Sequence, residues 1–170
     1  MLPIVYYPDP ILNRKAEEVK TGQPDLDVLV RDMLETMVAA RGIGLAAPQV
    51  GRSLRLFVAS ASGDPGEALV CINPRIEPFG EAVEMEEGCL SIPDLRADLM
   101  RPEQVRAIWT GLDGDEFEGE FDGLWARVIQ HEFDHLEGVL FIDKLSETDR
   151  LQVRPDLKAL EEQYTPRRSV

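Results

Sequence analysis

DGLWARVIQHEFDHLEG, residues 122–138, is the segment from which the rest of the chain is most readily read. Leu124, Val128, His131 and His135 recur at helical spacing, so they share one stripe. Asp122 is placed to cap the start of this helix. Its end is expected near Glu137, with Gly138 supplying the left-handed residue beyond it. Within it, His131-Glu132-Phe133-Asp134-His135 sets two imidazoles four residues apart on one face. That is a bidentate site for a transition metal, with Glu132 beside it as a proton carrier. An ordinary helix with two packed histidines is the plain alternative. Two unpartnered imidazoles on a buried stripe would be costly, however, and a metal removes that cost.

The chain has only two histidines, so a site built on a third imidazole is excluded. The remaining ligand must be a thiolate or a carboxylate. Cys71 lies in the apolar run Leu69-Val70-Cys71-Ile72, where a buried inert thiol is expected. Cys89 lies in Glu87-Gly88-Cys89-Leu90-Ser91, on a turn next to glycine, and is the better donor. One sulfur and two ring nitrogens form an open three-ligand site, the arrangement of a hydrolase rather than of a closed structural site. Residue identity alone leaves Fe²⁺, Zn²⁺, Co²⁺ and Ni²⁺ open. Three rivals also stay open: a zinc endopeptidase, a Cys–His hydrolase with Cys89 as nucleophile, and a non-catalytic metal-stabilised binding module.

Outward from these motifs, Pro24-Asp25 opens an amphipathic helix carrying Leu26, Val30, Met33, Leu34 and Met37, capped by Asp25 and ended by Gly42. Pro48 keeps Gly42–Gly51 out of a helix interior. Leu54–Ser60 reads as a strand, and Ala68–Ile76 as a second strand broken by Pro74. Gln104–Thr110 and Glu116–Phe121 read as a hairpin around Asp113-Gly114. Ser146 to Asp149 has capping-box spacing for a last helix, which Pro155 is expected to interrupt or kink. This order gives an α+β fold, mostly antiparallel strands packed around the central metal-motif helix. Residues 1–146 are expected to form one catalytic domain, and residues 147–170 a helical tail packed on it or extending from it.

The chain's 170 residues carry a net charge of −14, which repels nucleic-acid phosphates and anionic lipid. Direct nucleic-acid binding is therefore not expected. No apolar run is long enough for a transmembrane helix, and the N-terminus lacks the pattern of a secretory signal. Two cysteines make no disulfide framework, so a reducing cytoplasm is expected; a monomer is expected as well. Pro166-Arg167-Arg168 is locally basic but too short to reverse the overall charge.

Three segments, in order and at similar separations, resemble the motifs of peptide deformylases: Gly42-Ile43-Gly44-Leu45-Ala46-Ala47-Pro48-Gln49, Glu87-Gly88-Cys89-Leu90-Ser91 and His131-Glu132-Phe133-Asp134-His135. The likeness spans roughly residues 4–146 and includes Tyr7-Pro8-Asp9-Pro10-Ile11-Leu12 and Gly138-Val139-Leu140-Phe141-Ile142-Asp143. It implies a hydrolase that removes the formyl group from the N-terminal formyl-methionine of new polypeptides. Cys89, His131 and His135 would be the metal ligands, with Fe²⁺ the working ion. Glu132 would be the general acid/base for attack by water activated on the ion, and Gln49 with the Leu90 N–H the oxyanion hole. The Gly44 and Gly88 backbones would pair with an extended peptide.

For the methionine side chain, Ile43, Leu124 and Val128 are the expected apolar lining. Arg127 is expected at the rim with its charge in water, and Arg96 near the peptide's C-terminal side. Asp134 is expected to anchor the site from behind or to form a surface salt bridge. The tail from Arg150 to Val170 has mixed charge and departs from the basic terminal helix of some bacterial relatives, which leaves ribosome contact open.

Overall fold

The computed structural model describes residues 1–20 and 22–168; Ser169 and Val170, the end of the expected tail, lie outside them. One antiparallel sheet runs in the order β1 (Gly44–Ala46), β2 (Leu56–Ala59), β3 (Leu69–Cys89), β4 (Ile92–Thr110) and β5 (Glu116–Asp122). Three α-helices complete it: α1 (Leu26–Ala39), α2 (Gly123–Leu136) and α3 (Glu147–Gln163). The α+β expectation holds, with α2 as the central helix. Ala126, Val128, Ile129 and Leu136 of α2 pack with Phe57, Ala59, Cys71, Val105 and Ala107 of the sheet. Burying a side chain such as Ile129 contributes about 2 kcal/mol.

α1 lays Leu29, Val30, Met33 and Met37 against β1 and β2. Its start differs from expectation, since Asp25 is left-handed (φ 57°) and its side chain caps nothing. Aspartate is among the few residues that tolerate that conformation. At the far end Gly42 N–H closes onto Met37 O at 2.9 Å, while Arg41 takes the left-handed position (φ 57°) that glycine usually fills.

α2 also starts without a side-chain cap from Asp122, although its end is as expected. Gly138 is left-handed (φ 73°) and Val139 N–H reaches Asp134 O at 2.9 Å. Glycine is required there twice over, because a Cβ would meet the Asn13 backbone at 2.8 Å.

The largest departure is β3. Pro74 does not break it: the strand runs 21 residues, and together with β4 forms a long hairpin closed by Leu90 and Ser91. Register shifts between Ile72 and Arg75 and between Phe79 and Ala82 absorb Pro74 and Gly80, while Pro78 stays paired with Val105. Asn73 (φ 49°) and Gly80 (φ 84°) carry the positive φ at those bulges. α3 likewise runs through Pro155 without a break. Ser146 Oγ accepts from Asp149 N–H at 3.1 Å, one half of the capping box, while Asp149's carboxylate accepts from the Ser146 hydroxyl. Val153, Leu157 and Leu160 of α3 pack against a cluster that includes Val5, Ile92 and Phe141. No helix among the described residues is long and apolar enough to cross a membrane.

Candidate metal centre

β3 ends at Cys89, and α2 crosses behind that end, bringing His131 and His135 up to it. The donor atoms of Cys89, His131 and His135 all lie within 4.8 Å of one another. Cys89 Sγ is 3.4 Å from His135 Nε2. His131 Nδ1 faces Glu87 Oε1 at 2.8 Å, which turns Nε2 toward the thiol. A sulfur and two imidazoles at this spacing suit one tetrahedral transition-metal ion with an open position. One buried atom supports the fit: Glu132 Oε2, beside these donors, has no hydrogen-bond partner among the described residues. Cys71, by contrast, is buried on β3 and burial pushes its thiol up, as expected of an inert cysteine.

Electrostatics sharpen the roles. Burial opposes charge on His131, but hydrogen bonds to Cys89 and Glu87 outweigh it and push the imidazole up to about 10. A cation held at Nε2 would take the place of that proton. Burial, then the charges of His131 and Arg101, hold His135 well below its ordinary value, so it is a neutral donor. Burial pushes Glu132 up to about 7, where a carboxylate can both take and give a proton near neutrality. The Glu132 carboxylate lies directly over Gly44, where a Cβ would come within 2.5 Å of Oε1. Only glycine allows that approach.

Gln49 is buried, 1 % exposed, on the short turn after β1. Its Oε1 accepts from Ala46 N–H at 2.9 Å, which fixes the amide so that Nε2 faces Ser91 Oγ at 3.1 Å and Cys89 Sγ at 3.4 Å. Leu90 sits in the hairpin turn next to Cys89. A cleft of about 690 Å³ opens onto this group, lined among others by Ile43, Gly44, Gly88, Leu90, Leu124 and Val128. Val128 is buried and also serves the core, Ile43 is half-buried, and Leu124 is exposed. Arg96 pairs in register with Gly88, covers it, and reaches Glu86 at 3.8 Å.

Arg127 corrects the expectation made of it. Its guanidinium does not reach water. It is 4 % exposed and donates to Glu87 Oε2 at 2.9 Å, to Leu99 O at 2.8 Å and to Val83 O at 2.7 Å. A buried carboxylate and two strand carbonyls outbid solvent for it. Sequence reasoning also passed over Glu87 and Arg101. Arg101 forks onto Glu87 at 2.6 and 3.0 Å and reaches Asp134 at 2.7 Å. Burial raises Glu87, yet hydrogen bonds from His131 and Arg101 and the charge of Arg101 hold it well below the usual carboxylate range. Asp134 therefore anchors Arg101, and also takes Lys144 at 3.1 Å. One signal was available: Glu87 and Cys89 are two residues apart on a strand and share a face, whereas Glu84 and Glu86 point away.

Comparison with known proteins agrees with this geometry. The family model Polypeptide deformylase matches residues 1–151. A peptide deformylase of Chlorobium phaeobacteroides is 48 % identical over 164 residues, 94 % of this chain and 89 % of that protein. The chloroplastic peptide deformylase 1B of Solanum lycopersicum is 43 % identical over 98 % of this chain, which spans 61 % of that longer protein. Among solved structures, the Plasmodium falciparum peptide deformylase superposes with a TM-score of 0.91 at 40 % identity, covering 95 % of this chain and 96 % of that one. The Synechococcus elongatus enzyme in complex with actinonin gives 0.84 at 39 % identity, covering 95 % and 86 %. With matches this extensive on every side, the chain belongs to the peptide deformylases, hydrolases that remove the N-formyl group from nascent polypeptides.

Proposed function

We propose that Cys89, His131 and His135 hold one divalent ion, Fe²⁺ by preference, with Zn²⁺, Co²⁺ and Ni²⁺ as substitutes. The observation that carries this is the convergence of one thiol and two imidazoles beside a buried Glu132. The ion, when bound, supplies Lewis-acid activation of water and of the formyl carbonyl. Glu132 takes the proton of the attacking water and delivers it to the leaving amine. Gln49 Nε2 and the Leu90 N–H stabilise the oxyanion on the former carbonyl carbon, each being worth about 3 kcal/mol. To do so, Gln49 exchanges its contact with Cys89 or Ser91 for the substrate oxygen.

The formyl-methionyl peptide lies extended along the Gly44 and Gly88 backbones, its thioether side chain among Ile43, Leu124 and Val128. Arg96 meets the peptide further along. Residues 1–146 constitute the catalytic unit, with α3 as an addition to it. All proposed ligands and Glu132 come from one chain, which supports action as a monomer. Two free cysteines, one of them the proposed thiolate ligand Cys89, support a reducing compartment such as the cytoplasm. The mixed charge of α3 offers no argument for ribosome contact.

The test is a formate-release assay with metal analysis on the same sample. A formyl-Met peptide is expected to release formate, while acetyl-Met and unblocked peptides stay intact. A chelator is expected to stop turnover and added ion to restore it. Internal cleavage without formate would favour the endopeptidase, and activity indifferent to chelation would favour a Cys89 nucleophile.

A further inference from the structure

Residues 4–7 form an extended thread between two parts of the site. Val5 N–H donates to Gln49 O at 2.7 Å, and Tyr7 N–H donates to Ser91 O at 2.9 Å. Gln49 and Ser91 are also joined through their side chains, Nε2 to Oγ at 3.1 Å. The thread therefore ties the backbone of the Gln49 turn to that of the turn after Cys89. The C-terminal tail holds the thread in place. The Tyr7 hydroxyl donates to Glu161 at 2.6 Å. Arg167 forks onto Asp9, Nε to Oδ2 at 2.7 Å and Nη2 to Oδ1 at 3.2 Å.

Asp9 is 3 % exposed and also accepts from Ile11 N–H at 3.0 Å. Arg167 has a second contact: a Cβ at Gly51 would meet its Nη1 at 2.8 Å, so the guanidinium lies over the residue two beyond Gln49. Thread and tail also share an apolar cluster, in which Leu157 and Leu160 pack with Val5 and Tyr7. A cavity of about 360 Å³ remains between them, bordered by Val5, Tyr7, Leu160 and Tyr164.

We propose that Arg167 is a positioning residue for the deformylase reaction: by gripping Asp9 and covering Gly51, it makes the C-terminal tail a clasp that sets the Gln49 amide against the Cys89–Leu90 turn. This rests on the assignment of Gln49 to the oxyanion hole. An oxyanion donor works only when aimed, because rate falls steeply with small misplacement. Without Arg167, Asp9 is a buried carboxylate that has lost its cation. It draws in water or shifts, and the thread carries the change to Gln49 through Val5.

The experiment compares full-length Arg167→Ala, Arg167→Lys and, as a control on the neighbouring exposed arginine, Arg168→Ala, all metal-loaded. Formate-release kinetics, bound metal and amide exchange at Val5 and Tyr7 are measured. Arg167→Ala is expected to lower kcat about fivefold to tenfold. Its KM and metal content should stay within about twofold of the parent. Arg167→Lys should fall between, added guanidinium should restore part of the Arg167→Ala loss, and Arg168→Ala should match the parent. Val5 and Tyr7 amides should exchange faster in Arg167→Ala. Unchanged exchange removes the clasp, and faster exchange with unchanged kcat removes its role in positioning. A loss that only tracks lost metal or lost folded protein also overturns the proposal. If the parent protein releases no formate, the deformylase reading is what fails, and exchange still decides the clasp.

Discussion

The floor and the mouth of the cleft are made of different material. At the floor, His131, Glu132 and His135 are at most 9 % exposed and stand on a buried network in which Arg101 and Arg127 both pair with Glu87 and Arg101 also reaches Asp134. At the mouth, Leu124 is 43 % exposed and the Arg96 side chain 63 %, with its partner Glu86 equally open to water. Groups that hold an ion and move protons must keep their geometry, and burial with fixed hydrogen bonds gives that. A surface that receives many different peptides gains more from exposed, adaptable side chains. Substitutions at the floor should therefore be severe and chemically selective, and those at the mouth mild.

The largest effect is expected for Glu132→Gln. Formate release should fall about 10³-fold with metal content retained, since only the proton carrier is lost; steady-state kinetics with metal analysis checks this. Gln49→Leu comes next, with a loss of about 10²-fold that falls mainly on kcat. Glu87→Gln should weaken metal binding about 10- to 100-fold, read by competition with a chelator, because His131 loses its anchor. It should also destabilise the fold by about 3 kcal/mol, because two guanidinium groups are left underpaired. Leu124→Ala should change KM by less than about threefold, since much of that side chain is already wet. A mouth variant as damaging as a floor variant would erase the distinction.

Acid should attack the floor first. The Glu87 carboxyl is held well below its ordinary value of 4.5 in the folded protein. The stability it contributes is therefore fully present above the unfolded value and is lost as pH falls below it toward the folded one. Denaturant titrations between about pH 6 and pH 3 should show that loss in the parent and much less of it in Glu87→Gln.

How legible each region was in the sequence follows the same division. The central helix, its glycine stop and the two imidazoles depend on residues at most a few positions apart, so periodicity exposed them. Cys89 was separable from Cys71 because a Gly-flanked turn and an apolar run differ on sight. The network beneath was hidden, because Glu87, Arg101 and Arg127 meet only through the β3–β4 register and the crossing of α2 behind it. β3 itself was masked by Pro74, which read as a break until a bulge between Ile72 and Arg75 accommodates it. Arg127 was misread for a related reason: its position beside a pocket says nothing of the carboxylate waiting inside. Asp25 and Asp122 were at the right places to cap; Asp25 fails because its backbone is left-handed, which residue type alone does not set, whereas Asp122 has the extended backbone of a cap residue and nothing in the structure explains why its side chain makes no cap bond.

The central claim is that one sulfur and two ring nitrogens of this chain bind a single ion. X-ray absorption on protein loaded with Zn²⁺ or Fe²⁺, alongside Cys89→Ala, tests it most directly. The expected spectrum has one sulfur at about 2.3 Å and two imidazole nitrogens at about 2.0–2.1 Å from Zn²⁺, with the sulfur lost in Cys89→Ala. A first shell of nitrogen and oxygen alone, or a sulfur that persists in Cys89→Ala, would contradict it.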